Sequence, residues 1–292
     1  MSRIDWTYVQ ADAEVILADG LEALKAAAKV KPSQVREEFP CNYLVSLQGE
    51  ARHVGEGECA QSRLRQQCRE ASSVFYKAYL KKPGPHVAIG EFDMALMRTD
   101  LGRKELEEFG ALRLRPGKGK RMEAAVEHED TGLWEVVQAQ HARLLDEGVA
   151  AVMARRPVSW FDSQPSTGPG VYAVLHEDRL IYVGESPDLA ERHEMHSDHT
   201  CFSALRRHIG VELLDYELQE IGGRRRSFTD DQDWKVTRFL SDCEAVFVPV
   251  GLGRYELEER LIATHAPLLN SKSFSKSDGQ KNAEPAGQAP QV

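Results

Sequence analysis

The sequence predicts an α+β fold made of two related domains. Two apolar, β-branched runs, 171–175 and 180–183, flank a polar turn and indicate a β-hairpin. Helical segments follow the hairpin, and a similar stretch of residues occurs 129 positions earlier in the chain. At 292 residues the chain is long enough for two domains of ordinary size.

The hairpin carries two tyrosines ten residues apart, Tyr172 and Tyr182. If the hairpin is symmetric about residue 177, the two rings face each other across the strands. Two phenols held together in this way are either a proton-transfer pair or ordinary cross-strand packing. The pair alone leaves both interpretations open.

A helix is predicted directly after the hairpin. Ser186 followed by proline is typical of a helix start, with Ser186 as the N-cap, and predicts a helix over 187–198. Arg192 and His196 are four residues apart in this helix and therefore share a face.

A later helix is predicted from residue 254 onward, and Pro267 ends it. Glu258 lies beside the apolar stripe of this helix. A carboxylate is costly to bury there without a partner, so Glu258 is a candidate functional residue.

In this order the residues resemble the signature of the GIY-YIG nucleases. The motifs Gly170-Val171-Tyr172 and Tyr182-Val183-Gly184 are similar to the sequence that names the family. Arg192 and His196 follow at the family's spacing, and the stretch from Glu258 to Asn270 resembles the corresponding part of family members. The resemblance covers about residues 168–272.

The resemblance implies a phosphodiester hydrolase whose small three-stranded antiparallel sheet is flanked by helices. It implies that Tyr172 takes the proton from the attacking water, while Tyr182 orients the water or the phosphate. Arg192 is expected to pair with the phosphate, and His196 to share in the proton transfer. Asn270 is expected to order the site by hydrogen bonding.

The implied cofactor is a single Mg²⁺ ion, or Mn²⁺, with Glu258 as its ligand. Oxygen ligands favour such hard cations over zinc. Glu185 stands where small residues are frequent in the family. Its charge either repels phosphate or supplies a second ligand, and both alternatives stay open.

The earlier stretch has the features of a second, eroded copy. A shift of 129 positions places Tyr43 on Tyr172 and His53 on Tyr182 without a gap. Further along, the block 101–108 matches the block 252–259 with one mismatch in eight. Two matched blocks in the same order indicate an internal duplication, although chance similarity of short charged helices is the alternative.

The first copy has lost part of the residue set. It keeps Arg63 and Glu107, but His53 replaces the second tyrosine and Gln67 replaces the histidine. We therefore expect a degenerate domain that no longer cuts. His53 has the chemistry of a base, which leaves residual activity open.

Charge is unevenly distributed. The whole chain has a net charge of −9, yet segment 41–121 has a basic surplus while segment 168–270 is acidic. We expect the first copy to hold nucleic acid, with a solvated basic face as the alternative. The expected phosphate contacts in both copies are Arg63, Lys81, Lys82, Arg113, Arg115, Lys118, Arg206, Arg207, Arg224 and Arg225.

These observations divide the chain into five segments. They are an N-terminal helical extension (1–40), the degenerate GIY-YIG-like domain (41–121), a helical linker (122–167), the nuclease domain (168–272) and a polar tail expected to be disordered (273–292).

Cysteine usage and hydropathy exclude several classes of protein. The five cysteines are scattered without a CxxC pair, so neither a zinc site nor a disulfide framework is indicated. No run of about 18 apolar residues and no N-terminal signal pattern occurs. We therefore expect a cytoplasmic protein with no membrane contact.

The expected function is a metal-dependent endonuclease that hydrolyses DNA, in restriction, phage defence or DNA repair. An RNA-cleaving nuclease and a non-catalytic nucleic-acid-binding protein are the alternatives. One intact site cuts one strand per encounter, so double-strand cleavage would need a homodimer or two successive cuts.

Overall fold

Two four-stranded antiparallel sheets organise the protein. The computed structural model describes residues 4–69, 75–80, 87–114, 132–221 and 225–270. The N-terminal sheet has the order β1-β4-β2-β3, the C-terminal sheet has the order β5-β10-β6-β7, and β8 and β9 form a separate ribbon. The strands are β1 (Lys29–Val30), β2 (Cys41–Leu47), β3 (Glu50–Gly57), β4 (Phe92–Arg98), β5 (Val158–Ser159), β6 (Gly170–His176), β7 (Arg179–Ser186), β8 (Gln219–Ile221), β9 (Arg225–Ser227) and β10 (Cys243–Pro249).

Helices cover and connect these sheets. The helices are α1 (Trp6–Ala11), α2 (Ala13–Ala26), α3 (Ala60–Arg69), α4 (Arg103–Leu114), α5 (Leu133–Ala139), α6 (His141–Met153), α7 (Leu189–Asp198), α8 (Ala204–His208), α9 (Asp230–Ser241) and α10 (Arg254–His265). Within the described residues, no helix combines the length and the apolar character needed to cross a bilayer.

Each sheet has one strand more than the three that we expected. The additional strands are the two-residue edges β1, which pairs with β4, and β5, which pairs with β10. They come from segments that were expected to be helical, 1–40 and 122–167. Two-residue strands are too short for an alternating pattern to reveal them, because that signal needs about four residues or more.

The C-terminal hairpin turns through two residues with left-handed backbone, Glu177 and Asp178 at φ 50° and 60°. A two-residue turn of this kind matches the twist of the flanking strands. A bulge between Val174 and Leu175 then shifts the strand register by one residue.

The bulge decides where the tyrosines point. With it, Tyr172 pairs with Gly184, and Tyr182 pairs with Val174. The expectation that the tyrosines face each other directly is therefore wrong, and they are diagonal neighbours on one face. Without the bulge, a one-residue slip would turn one of the two rings to the opposite face.

The N-terminal hairpin repeats this geometry. Its turn residues, Gln48 and Gly49, have left-handed φ values of 53° and 82°. A bulge between Val45 and Ser46 shifts the register, so that Tyr43 pairs with Gly55. The turn and the bulge thus occur at positions equivalent to those of the second hairpin.

Helix α7 begins two residues later than the sequence indicated. Asp188 is its N-cap and accepts a 3.0 Å hydrogen bond from the backbone N–H of Glu191. Ser186, the predicted N-cap, instead exchanges hydrogen bonds between its hydroxyl and the backbone of Asp188. An aspartate next to the first turn is the stronger competitor because its charge also suits the positive end of the helix dipole.

The two halves of the protein are joined by reciprocal buried ion pairs. Arg103, the first residue of α4, binds Glu256 on α10 at 2.9 Å, and Arg254, the first residue of α10, binds Glu105 on α4 at 3.0 Å. All four side chains are buried. Arg103 and Arg254 are the first residues of their helices, and Glu105 and Glu256 are each the third residue. Such a reciprocal exchange of matching contacts is typical of two units related by a twofold axis.

Candidate active site

A chain of hydrogen bonds runs inward from the C-terminal hairpin. Tyr172 is almost fully buried, and its hydroxyl lies 2.7 Å from Nε2 of His196. The other ring nitrogen, Nδ1, lies 2.6 Å from the hydroxyl of Ser203. Burial lowers the pKa of His196 to about 3, and the charge of Arg192 lowers this pKa further. The imidazole is therefore neutral at pH 7, with one nitrogen donating and the other accepting, and the chain can pass a proton in either direction.

Tyr182 is the partly exposed member of the phenol pair. Its ring centroid is 6.0 Å from that of Tyr172, with the two ring planes tilted by 34°. Burial raises the pKa of Tyr182 to about 12 and that of Tyr172 well above its ordinary value. The neighbouring Tyr172 hydroxyl lowers the pKa of Tyr182, whereas Tyr182 raises that of Tyr172, so Tyr182 is the phenol that loses its proton more readily.

Gly184 leaves the space that the Tyr172 ring occupies. A Cβ atom added at Gly184 would lie 2.4 Å from the Tyr172 hydroxyl. We expect Gly184→Ala to displace the ring, to destabilise the fold by about 1–3 kcal/mol and to lower cleavage by about 10²-fold. Urea denaturation and a nuclease assay measure the two effects. Gly90→Ala is the control because nothing lies within 4 Å of its new Cβ, and equal behaviour of the two variants would contradict the prediction.

Arg192 projects from α7 with its guanidinium available. Within the described residues it has no side-chain hydrogen bond or ion pair. Two acidic residues close to Arg192 in sequence are engaged elsewhere, because Asp188 caps α7 and Glu185 binds Arg254 and Lys104. The charge of Arg192 acts on the tyrosine pair, whose pKa values it lowers. It is positioned to receive an anion.

Glu258 lies on α10 with its carboxylate next to the end of β7. Burial raises its pKa to about 7, and the charge of Glu185 raises this pKa further. The charge of Lys104 and the backbone N–H of Glu185 act in the opposite direction. The next residue, Glu259, is half exposed and binds Arg103, so the acids of this helix differ in environment.

Asn270, the last residue that the structure describes, is hydrogen-bonded to the C-terminal hairpin. Its side-chain oxygen accepts a hydrogen bond from the N–H of Val183, and its amide nitrogen donates to the carbonyl of Val183, both at 2.8 Å. Val183 lies between Tyr182 and Gly184. Asn270 therefore positions the strand that carries the second tyrosine, rather than contacting the other site residues directly.

Arg206 was expected to contact phosphate, but the structure places its side chain in the interior. Its side chain is completely buried, and it binds the carboxylate of Asp233 at 3.1 Å and the hydroxyl of Thr237 at 2.8 Å. It also donates to the carbonyl of His196. A guanidinium enclosed in this way is a structural support for α7 and α9 and is inaccessible to a phosphate.

Three other expected contacts are at least partly engaged within the protein. Arg207 donates to the carbonyls of Thr200 and Cys201, Arg63 donates to the carbonyl of Glu56, and Arg113 binds Glu14 at 2.7 Å. The remaining expected contacts, or their side chains, lie outside the described residues: Lys81, Lys82, Arg115, Lys118, Arg224 and Arg225. The expected disordered tail, 273–292, also lies outside them.

The N-terminal half brings a reduced set of residues together. The ring centroids of Tyr43 and His53 are 5.8 Å apart. Burial lowers the pKa of His53 to about 4, and its Nε2 has no hydrogen-bond partner in the described part of the chain. Burial likewise raises the pKa of Glu107 to about 7, with the charge of Glu56 acting in the same direction.

The N-terminal set differs from the C-terminal set in two contacts. Gln67 is buried at the position equivalent to His196, so the tyrosine–histidine–serine chain has no equivalent there. Arg63 binds the backbone of Glu56 at 2.9 Å and the side chain of Gln66 at 2.9 Å, whereas Arg192 is unengaged by described residues.

Sequence reasoning did not identify two residues that support the C-terminal site. Ser203 holds His196 through Nδ1, and Trp160 packs against His193 and His196 while donating to Ser197. Ser203 also caps α8, and a serine before a short helix was the signal that could have found it. No local pattern marks Trp160, because it reaches α7 from the segment before the hairpin.

One comparison with known proteins gave a match, and it covers the C-terminal part of the chain. Neither the curated proteins nor the solved structures gave a significant match. Residues 170–284 match the family model of the GIY-YIG catalytic domain. This match supports assigning that part of the chain to the GIY-YIG superfamily and points to a nuclease, that is, a phosphodiester hydrolase acting on nucleic acid.

Proposed function

We propose that the protein is a metal-dependent endonuclease that hydrolyses DNA phosphodiester bonds at the C-terminal site. The observation that carries the proposal is the hydrogen bond between Tyr172 and His196, beside a second phenol and an unengaged arginine. Ordinary aromatic packing does not require a neutral histidine behind one phenol. Restriction, phage defence and DNA repair are the roles that such cutting would serve.

We assign the general base to Tyr182, which differs from the expectation that Tyr172 takes this role. Tyr182 is partly exposed, whereas the Tyr172 hydroxyl is enclosed and bonded to His196. When Tyr182 gives up its proton to solvent, the neighbouring Tyr172 hydroxyl, itself bonded to His196, favours the resulting phenolate. Tyr172 and His196 thus stabilise the base, and Tyr182 takes the proton of the attacking water.

Arg192 holds the scissile phosphate and the negative charge that grows on it during attack. A guanidinium without another partner keeps its full donor capacity for phosphate oxygens, and its planar fork suits two of them. Asn270 keeps Tyr182 in register through the backbone of Val183.

The residues fit a divalent cation. Within the described residues no group of three or more His, Cys, Asp or Glu side chains is arranged to hold a metal ion. Mg²⁺ commonly binds through one or two carboxylates together with water and substrate phosphate, and Glu258 is a buried carboxylate of this kind. Such an ion, or Mn²⁺, would act as a Lewis acid on the phosphate.

We further propose that the two halves arose by duplication and that the first half binds nucleic acid without hydrolysing it. The shared strand order, the equivalent bulges and the reciprocal ion pairs support the duplication. The absent tyrosine–histidine–serine chain and the engaged Arg63 support the loss of cutting. The paired halves would take the place of two subunits of a homodimer.

Purified protein with Mg²⁺ should be offered single-stranded, duplex, branched and modified DNA, together with RNA. We expect DNA cleavage, with supercoiled plasmid converted to the nicked form before any linear form, since one site cuts one strand. Cleavage of RNA alone would overturn the DNA assignment. Binding without cleavage of any substrate would favour the non-catalytic alternative.

Glu107→Ala separates the roles of the two halves. We expect the variant to retain cleavage within about twofold, since the first half does not cut. The matched change in the second half is Glu258→Ala, made at the equivalent helix position. Loss of cleavage in Glu107→Ala with unchanged DNA binding would show that the first site also acts in hydrolysis.

A further inference from the structure

Lys104 reaches from the N-terminal half into the candidate active site. It is the second residue of α4, and its Nζ lies 3.4 Å from the carboxylate of Glu185. Glu185 follows directly after the Tyr-Val-Gly motif of β7, and its backbone N–H lowers the pKa of the Glu258 carboxyl. A cation of one half therefore borders the carboxylates of the other half.

Glu185 shares its second cationic partner, Arg254, with two other carboxylates. Arg254 binds Glu185 through Nε at 2.8 Å, while its two remaining nitrogens bind Glu105 at 3.0 Å and Glu108 at 2.5 Å. One guanidinium thus serves three carboxylates and leaves negative charge in excess. Lys104, in contrast, has Glu185 as its single carboxylate partner among the described residues.

This contact has no equivalent on the other side of the reciprocal interface. The residue equivalent to Lys104 is Tyr255, whose hydroxyl donates to Glu58 at 2.9 Å. The Tyr255 ring lies 5.1 Å from the Nζ of Lys104, so it also helps to hold the ammonium group in place. Among the described residues, this lysine contact is therefore made to the half that has both tyrosines, the arginine and the histidine.

We propose that Lys104 is a positioning residue of the nuclease site, which neutralises Glu185 so that an anionic phosphate can approach Glu258 and Arg192. The proposal rests on the proposed nuclease function and extends it, because it makes the N-terminal half part of the site. Uncompensated charge on Glu185 would repel the substrate, since nucleic acid is itself an anion.

Four variants test this proposal: Lys104→Met, Lys104→Arg, Glu185→Gln and the double variant Lys104→Met/Glu185→Gln. We expect Lys104→Met to raise KM about tenfold, with a smaller effect on kcat. We expect the Kd for a labelled duplex, measured by fluorescence anisotropy in EDTA, to rise by a similar factor. Lys104→Arg should keep values close to wild type, and the double variant should recover them because no charge remains to be neutralised.

The controls separate charge from folding. Lys25→Met removes an exposed lysine remote from the site, and thermal melting monitors each variant. If wild type cleaves but Lys104→Met keeps its KM and Kd, or if the double variant binds no better than Lys104→Met, the role of Lys104 is refuted while the nuclease function stands. If wild type neither binds nor cleaves nucleic acid, the nuclease function falls, and the role of Lys104 falls with it.

Discussion

Replacing Glu258 by alanine should reduce DNA cleavage about 10³-fold or more. A carboxylate that holds a catalytic cation supports several kcal/mol of transition-state stabilisation, and each 1.36 kcal/mol is a factor of ten in rate. Steady-state cleavage of a labelled duplex at saturating Mg²⁺ measures the loss. DNA binding in EDTA should be retained, because the change removes a negative charge.

Glu259→Gln is the matched control for this variant. Glu259 is the next residue on the same helix, half exposed, and its pair with Arg103 is 3.4 Å long, so we expect activity within about twofold of wild type. Equal losses in the two variants would mean that the helix, rather than the Glu258 carboxylate, is what matters.

The same carboxylate predicts a pH dependence. Burial raises the pKa of Glu258 to about 7, and only the ionised form can hold a cation. At limiting Mg²⁺, cleavage should therefore increase as the pH rises from 6 to 8. Saturating Mg²⁺ should move the midpoint to lower pH, because the cation favours the ionised form. A flat profile at limiting Mg²⁺ would contradict the assignment.

The Arg254→Met variant should lose about 3–5 kcal/mol of unfolding free energy, the usual cost of leaving a buried charge without its partner. Arg254 is 1% exposed and faces Glu105, which is equally enclosed. Urea denaturation measures the loss. Arg260→Met is the matched control, because Arg260 binds Asp146 on the surface and should cost less than about 1 kcal/mol.

The deficit of Arg254→Met should depend on pH. Burial raises the pKa of Glu105 above its ordinary value, while Arg254 lowers it. A raised carboxyl pKa favours the protonated folded state, so stability is retained at acidic pH and lost as the pH rises. Without Arg254 the pKa rises further. The variant should therefore be closer to wild type at pH 5 than at pH 8, and a constant difference would contradict this account.

The sequence predicted those parts of the molecule that depend on local pattern. The C-terminal hairpin follows from two apolar, β-branched runs around a polar turn, and α10 follows from its apolar stripe and Pro267. The grouping of Tyr172, Tyr182, Arg192 and His196 followed from the resemblance to the GIY-YIG nucleases. In the fold, Tyr172 contacts both Tyr182 and His196.

The parts that the sequence did not predict depend on contacts between distant segments. The bulge that turns Tyr182 toward Tyr172 is a backbone shift without a residue signature. Arg206 looked like a surface arginine because nothing near it in sequence reveals the enclosing Asp233 and Thr237. The pairing of Lys104 with Glu185 joins residues 81 positions apart.

The reciprocal ion pairs have a consequence for how the sequences of the two halves can diverge. In an assembly of two identical chains, every substitution appears twice, once at each equivalent position. Here the equivalent positions belong to one chain, so position 104 can hold a lysine while position 255 holds a tyrosine. Under the proposed duplication, covalent joining allows one half to specialise while the ion pairs of Arg103 and Arg254 hold the two halves together.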